Sequence, residues 1–153
     1  MTNDNLIKSF LLLFSLIIFL FPLITAEAQN PEEVIINKEK QALDRWKAGD
    51  TFGFIEIAAE EITYFDPSLE KRITGITEFQ DYLSSFNGTF SFPRYELLNP
   101  QVQLYGNTGV LTFNFVGYSE DDSTNKWNTT EVFHLKEGEW KIVSSHWSYT
   151  KPE

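Results

Sequence analysis

Trp127-Asn128-Thr129-Thr130-Glu131-Val132-Phe133-His134-Leu135 and Trp140-Lys141-Ile142-Val143-Ser144-Ser145-His146-Trp147-Ser148-Tyr149 are the clearest segments of the chain. Both are rich in β-branched and aromatic residues, and Glu137-Gly138 between them suits a tight turn, so they read as a hairpin of two long strands. Successive side chains of a strand point to opposite faces. Trp127, Thr129, Glu131 and Phe133 therefore share one face, and Asn128, Thr130, Val132 and His134 the other. In the second strand Val143, Ser145 and Trp147 are expected on one face, with Ser144, His146 and Ser148 opposite. Both faces are mixed. Such a sheet is covered by helices on one side and by another subunit on the other, which makes a homodimer the expected assembly.

Upstream, Tyr95–Tyr105 and Val110–Tyr118 continue the period of two, joined by a turn expected at Asn107-Thr108-Gly109. A polar loop, Ser119–Lys126, leads into the hairpin. Before Tyr95 the period is helical. Asn30 can cap a helix that opens with Pro31-Glu32-Glu33, carries Ile35, Ala42, Leu43 and Trp46, and ends at Gly49. Asp50 can cap a short second helix bearing Phe54, Ile57 and Ala58. Ile62-Thr63-Tyr64-Phe65-Asp66-Pro67 is a short strand that the proline stops. Ile76, Phe79, Leu83 and Phe86 mark a third helix closed by Asn87-Gly88. Three helices followed by a meander predict an α+β domain, with the helices packed on one side of a mainly antiparallel sheet.

Residues 1–28 read as an export signal. Lys8 precedes an almost uninterrupted Leu/Ile/Phe run, Pro22 breaks it, and Ala26-Glu27-Ala28 fits a small-x-small cleavage site before Gln29. The alternative is a retained anchor, but the run is short for a span of about 20 residues. Residues 29–153 then form one domain, exported to a periplasmic or extracellular location and not membrane-bound after cleavage. The 153 residues hold 12 basic and 22 acidic side chains. Removing Lys8, Asp4 and Glu27 leaves 11 and 20, a surface that repels phosphate backbones and argues against nucleic acid as a partner. The absence of cysteine excludes disulfides, thiolate metal ligands and a cysteine nucleophile. His134 and His146 lack metal-ligand spacing, no serine sits in a nucleophile elbow, and no phosphate loop is present. Neither a metal nor another cofactor is expected.

Two carboxylates stand out. Glu131 lies among apolar and aromatic neighbours, and Asp66 follows Ile62 and Tyr64 at the strand end. A charge among such neighbours is costly unless paired or protonated. Paired carboxyls in an apolar cavity suit proton transfer, because burial raises a pKa toward the working pH. The structural alternative is that Asp66 caps the turn at Pro67 and Glu131 pairs with a basic side chain.

The order of these pieces resembles the nuclear transport factor 2-like superfamily, the cone-shaped fold of ketosteroid isomerase, SnoaL-like polyketide cyclases and scytalone dehydratase. The resemblance spans nearly all of residues 30–153. It is carried by Ala48-Gly49-Asp50, Ile62–Pro67, Gly75, Leu98-Asn99-Pro100-Gln101-Val102, Trp127–Glu131 and Trp140–Ser148. Small ketosteroid isomerase-like members of unknown function are similar throughout. Leu98–Val102 and Trp140–Ser148 also resemble the association domain of calcium/calmodulin-dependent protein kinase. The resemblance to the isomerase implies Asp66 as general base and Glu131 as the protonated acid, while Ala42 occupies the position of the oxyanion tyrosine. The arginines that line the pocket of the kinase association domain correspond to Asn114, Glu131 and Trp147, so an arginine-held carboxylate ligand is not expected.

Two functions follow as expectations. One is an exported dimer that binds a small uncharged molecule in an apolar pocket. Its walls would be Phe54, Tyr64, Phe79, Phe113 or Asn114 (according to strand register), Trp127, Phe133 and Trp147, and Asp66 and Glu131 could carry isomerase, dehydratase or cyclase chemistry. The other is a non-catalytic binding or oligomer-assembly domain, in which the same carboxylates only shape the interior.

Overall fold

A computed structural model describes residues 29–89, 92–121 and 123–151. The expected export segment lies outside the described residues. Helix α1 spans Pro31–Lys47, with the Asn30 side chain accepting from the Glu32 amide at 3.1 Å and Glu32 and Glu33 at its positive end. Gly49, at φ +86°, turns the chain out of α1. Helix α2, Phe52–Ile57, starts where Asp50 accepts from the Phe52 amide at 2.9 Å. It runs directly into β1, Ala58–Phe65, which is longer than the strand expected there. A two-residue strand β2, Ile73–Thr74, precedes α3, Ile76–Ser84. The meander follows as β3 (Arg94–Tyr105), β4 (Thr108–Tyr118), β5 (Thr124–Lys136) and β6 (Glu139–Tyr149).

The six strands form one sheet in the order β2-β1-β6-β5-β4-β3. Every pairing is antiparallel except β1 with β6. The helices lie over one face, α1 against β3 and β4 and α3 against β1. The core between them includes Ile35, Leu43, Ile62, Leu111 and Phe133, each essentially without exposure. Burying a side chain of this size contributes about 2 kcal/mol. Among the described residues no helix is long and apolar enough to cross a membrane.

Two local expectations change, and one turn is as expected. The β3–β4 loop is Gly106-Asn107, and Gly109 lies inside β4. Gly106 takes the positive φ (+60°) that a two-residue turn demands, whereas Gly109 is small because Ile35 of α1 approaches there. In the second hairpin, Glu137 and Gly138 both have positive φ, as a tight turn between twisted strands requires. Val143 does not continue the face of Ser145 and Trp147. Val132 pairs with Ser144 and Phe133 with Ile142, so Val143 is the extra residue of a bulge. The bulge switches parity and lets Trp140 and Ile142 join Ser145 on the helix-covered face.

Candidate functional site

Strand register assembles one inward-facing row across the whole sheet: Ile73, Tyr64, Ser145, Glu131, Leu111 and Val102. The two ends are apolar and the middle three are polar. Above them the helices and sheet enclose a cavity of about 440 Å³. That size falls within the range of small-molecule sites. Trp46 and Phe54 come from the first two helices, Phe79, Tyr82 and Phe86 from α3 and its end, and Phe115, Trp127, Trp147 and Tyr149 from the sheet.

Of the residues singled out in the sequence, Asp66, Glu131, Phe54, Tyr64, Phe79, Trp127 and Trp147 all border this cavity. Asn114 and Phe133 do not. Asn114 is on the outer face, where its amide nitrogen donates to Asn128 Oδ1 at 2.8 Å. Register settles the alternative at this position: Phe113 points inward and packs edge-on against Trp147 at 5.5 Å between ring centres. Phe113 is nonetheless buried in the core rather than among the residues bordering the cavity. Phe133 has no exposure and lies in the core, because its strand has by then passed beneath the packed helices. His146 is exposed, and His134 is half-buried with Nδ1 3.4 Å from the Thr108 hydroxyl.

Asp66 accepts at both oxygens. Tyr64 Oη and Tyr82 Oη donate to Oδ2 at 3.1 and 2.6 Å, while the Ser68 amide and Oγ donate to Oδ1 at 2.7 and 2.6 Å. A carboxylate offers about four lone-pair positions, so this one is saturated. Partial burial pushes the Asp66 carboxyl up, but the bonds from Ser68, Tyr82 and Tyr64 outweigh it and leave the pKa below the ordinary value. The same contacts act oppositely on the phenols. Burial and the neighbouring Asp66 hold Tyr64 well above its usual value and push Tyr82 up to about 12. Asp66 thus stays ionised, and both tyrosines keep their protons.

Glu131 sits in a different environment. Ser145 Oγ donates to its Oε1 at 2.8 Å, and Trp147 Nε1 donates to Ser145 Oγ at 3.1 Å. Its partner on the other side is Glu39 of α1, a residue the sequence reading passed over. Glu39 is fully buried. No donor other than a carboxyl proton reaches either Glu39 oxygen or Glu131 Oε2 among the described residues. One proton between the two groups pairs Glu131 Oε2 with one Glu39 oxygen. Burial, then the charge of Glu131, raises Glu39 well above the ordinary value. Burial raises Glu131 too, but hydrogen bonds from Glu39, Ser145 and Trp147 oppose the rise. Both carboxyls are pushed upward, so the pair holds a proton between them. Helical phase carried a signal for this residue, since Glu39 is four residues from both Ile35 and Leu43, on the buried stripe of α1. Tyr82, three residues after Phe79, was legible by the same argument.

Helices on one face of a curved, mainly antiparallel sheet around such a cavity define the nuclear transport factor 2-like fold. The family profile of the calcium/calmodulin-dependent protein kinase II association domain matches residues 31–151, and the chain belongs to that family. Among solved structures, one provisionally assigned as a ketosteroid isomerase from Parabacteroides distasonis is 36% identical. That match covers 84% of this chain and 94% of the other, at a TM-score of 0.75. A nuclear transport factor 2-like protein of unknown function from Pseudomonas putida is 19% identical over 79% of this chain and 87% of its own (TM-score 0.71). The association domain of the Caenorhabditis elegans kinase is 22% identical over 78% and 95% (TM-score 0.65). The last two show likeness of fold alone. No curated protein sequence matches significantly.

Proposed function

We propose that this chain is an exported small-molecule-binding domain whose aromatic cavity holds the ligand over Asp66 and the Glu39–Glu131 pair. The observation that carries the reading is the cavity itself: about 440 Å³, with a mostly apolar and aromatic wall into which Asp66 and Glu131 project. Residues 1–28 would direct export and be removed before Gln29. The outer face of the sheet, with Leu98 beside Asn114 and Asn128 and with Phe65 beside His146, would pair two copies.

Proton transfer is the second reading. It is favoured by the opposite directions in which the interior pushes its carboxyls, Asp66 downward and the Glu39–Glu131 pair upward. Groups whose environments drive their pKa values apart are the usual acid and base of such sites. Binding ranks above it because a base needs a free lone pair, and those of Asp66 are occupied. Family membership keeps assembly as a third role.

Native mass spectrometry of the protein purified from its host tests the order of these readings. A dimer carrying a defined small adduct is the expected result. A larger ring with an empty interior would replace ligand binding with assembly.

A further inference from the structure

The polar patch of the cavity has a direction. The hydroxyl hydrogens of Tyr64, Tyr82 and Ser68 all reach Asp66, and that of Ser145 reaches Glu131. The indole hydrogen of Trp147 is taken by Ser145. What these groups have left to offer a ligand is oxygen lone pairs. Asp66, held ionised, has no cationic partner among the described residues. Of the residues bordering the cavity, none is Lys, Arg or His. The wall as a whole is largely aromatic, with twelve aromatic side chains bordering the space, Tyr64, Tyr82 and Trp147 of the patch among them. Aromatic faces attract cations and a low-dielectric wall strengthens that attraction, yet the same wall cannot hydrate an inorganic ion.

We infer that the cavity selects an apolar organic ammonium over neutral or anionic molecules of the same shape. The inference rests on the ligand-binding reading above and departs from the uncharged ligand that the sequence suggested. An ammonium supplies both things the patch lacks, donor hydrogens and a positive charge. It can bind the phenol oxygens of Tyr64 and Tyr82 without displacing their bonds to Asp66, so the saturated carboxylate acts through its charge. At this patch a carboxylate ligand would meet only acceptors, and a neutral alcohol would gain one hydrogen bond and no charge. The chain's formal net charge of −10 works in the same direction at long range.

Three probes with one ring system test this: tryptamine as the cation, tryptophol as the neutral molecule and indole-3-acetate as the anion. Binding to the protein purified from its host is measured by calorimetry at low and high salt. Tryptamine should bind about tenfold more tightly than tryptophol, with indole-3-acetate weakest, and added salt should narrow the gap. The preference for tryptamine should shrink to about twofold or less in Asp66→Asn, whose side chain keeps its shape and loses its charge. Tryptophol binding as tightly as tryptamine, or indole-3-acetate binding best, would overturn the cation preference and leave the pocket reading standing. Failure of all three probes at millimolar concentration would overturn both. The comparison of probes on the unaltered chain decides the matter even where the variant does not fold.

Discussion

Glu39 and Glu131 meet in the interior as a carboxyl pair, one from the first helix and one from the central hairpin, with relative exposures of 0% and 1%. Both being ionised there would set two unscreened like charges side by side, which the low dielectric makes prohibitive. Sharing one proton turns the repulsion into a charge-assisted hydrogen bond. The cost appears as a dependence on pH.

For Glu39 the sign is fixed by its raised pKa. Below the ordinary carboxyl value of 4.5 the folded and unfolded chains are both protonated, and the contribution is fully present. Above it the unfolded chain ionises while the folded chain keeps its proton. Stability then falls by up to about 1.4 kcal/mol per pH unit until the folded pKa is reached. Glu39→Gln keeps the shape and a donor for Glu131 but cannot titrate. The melting temperature of Glu39→Gln minus that of the native chain should therefore rise as pH increases above 4.5 and level off once the folded pKa is passed. A difference independent of pH would mean that Glu39 is not held protonated.

Asp66 behaves in the opposite sense. Its depressed pKa gives stability that is present above about 3.8 and lost as pH falls through the lower folded value. Tyr82→Phe deletes the 2.6 Å bond to Oδ2. The Asp66 pKa should rise, as read by NMR titration of its carboxyl carbon, and stability at pH 7 should drop by about 1 kcal/mol. As pH falls through the lowered folded pKa of Asp66 the two proteins should converge, because a protonated Asp66 no longer depends on that donor. An unchanged Asp66 titration would show that Tyr82 does not hold the carboxylate.

Much of this was legible in the sequence because strand parity is rigid. Alternation alone put Glu131 beside Trp127 and Thr129 on the inner face, and the order of helices and strands defined the fold. What escaped were features that depend on contact between distant segments. Nothing in Ile142-Val143-Ser144 announces which residue bulges, so the parity of β6 was right only after Val143. Asn114 lost its place in the cavity to a one-residue choice of register. Glu39 was hidden by habit, since a glutamate among Lys38, Lys40 and Gln41 reads as solvated until the helix is phased on Ile35 and Leu43. Tyr64, Tyr82 and Ser68 converge on Asp66 from β1, α3 and the turn after β1, and no local pattern shows that convergence.

Where α1 rests on the sheet fixes how deeply Glu39 is carried in, and that height is set at Gly109. A Cβ built at Gly109 would lie 2.5 Å from Ile35 Cδ1, well inside contact distance. Gly109→Ala must therefore push Ile35, a side chain with no exposure, against a filled core. The expected loss is about 1–3 kcal/mol, the usual cost of overpacking. Ile35→Val removes the clashing methyl and alone should cost about 1 kcal/mol as a small cavity. Combined, the two changes should compensate, the double variant being more stable than the sum of the singles by about 1 kcal/mol or more in denaturant titration. Strict additivity would place the clash elsewhere. The double variant should also restore the pH dependence assigned to Glu39, because α1 returns to the height at which Glu39 meets Glu131.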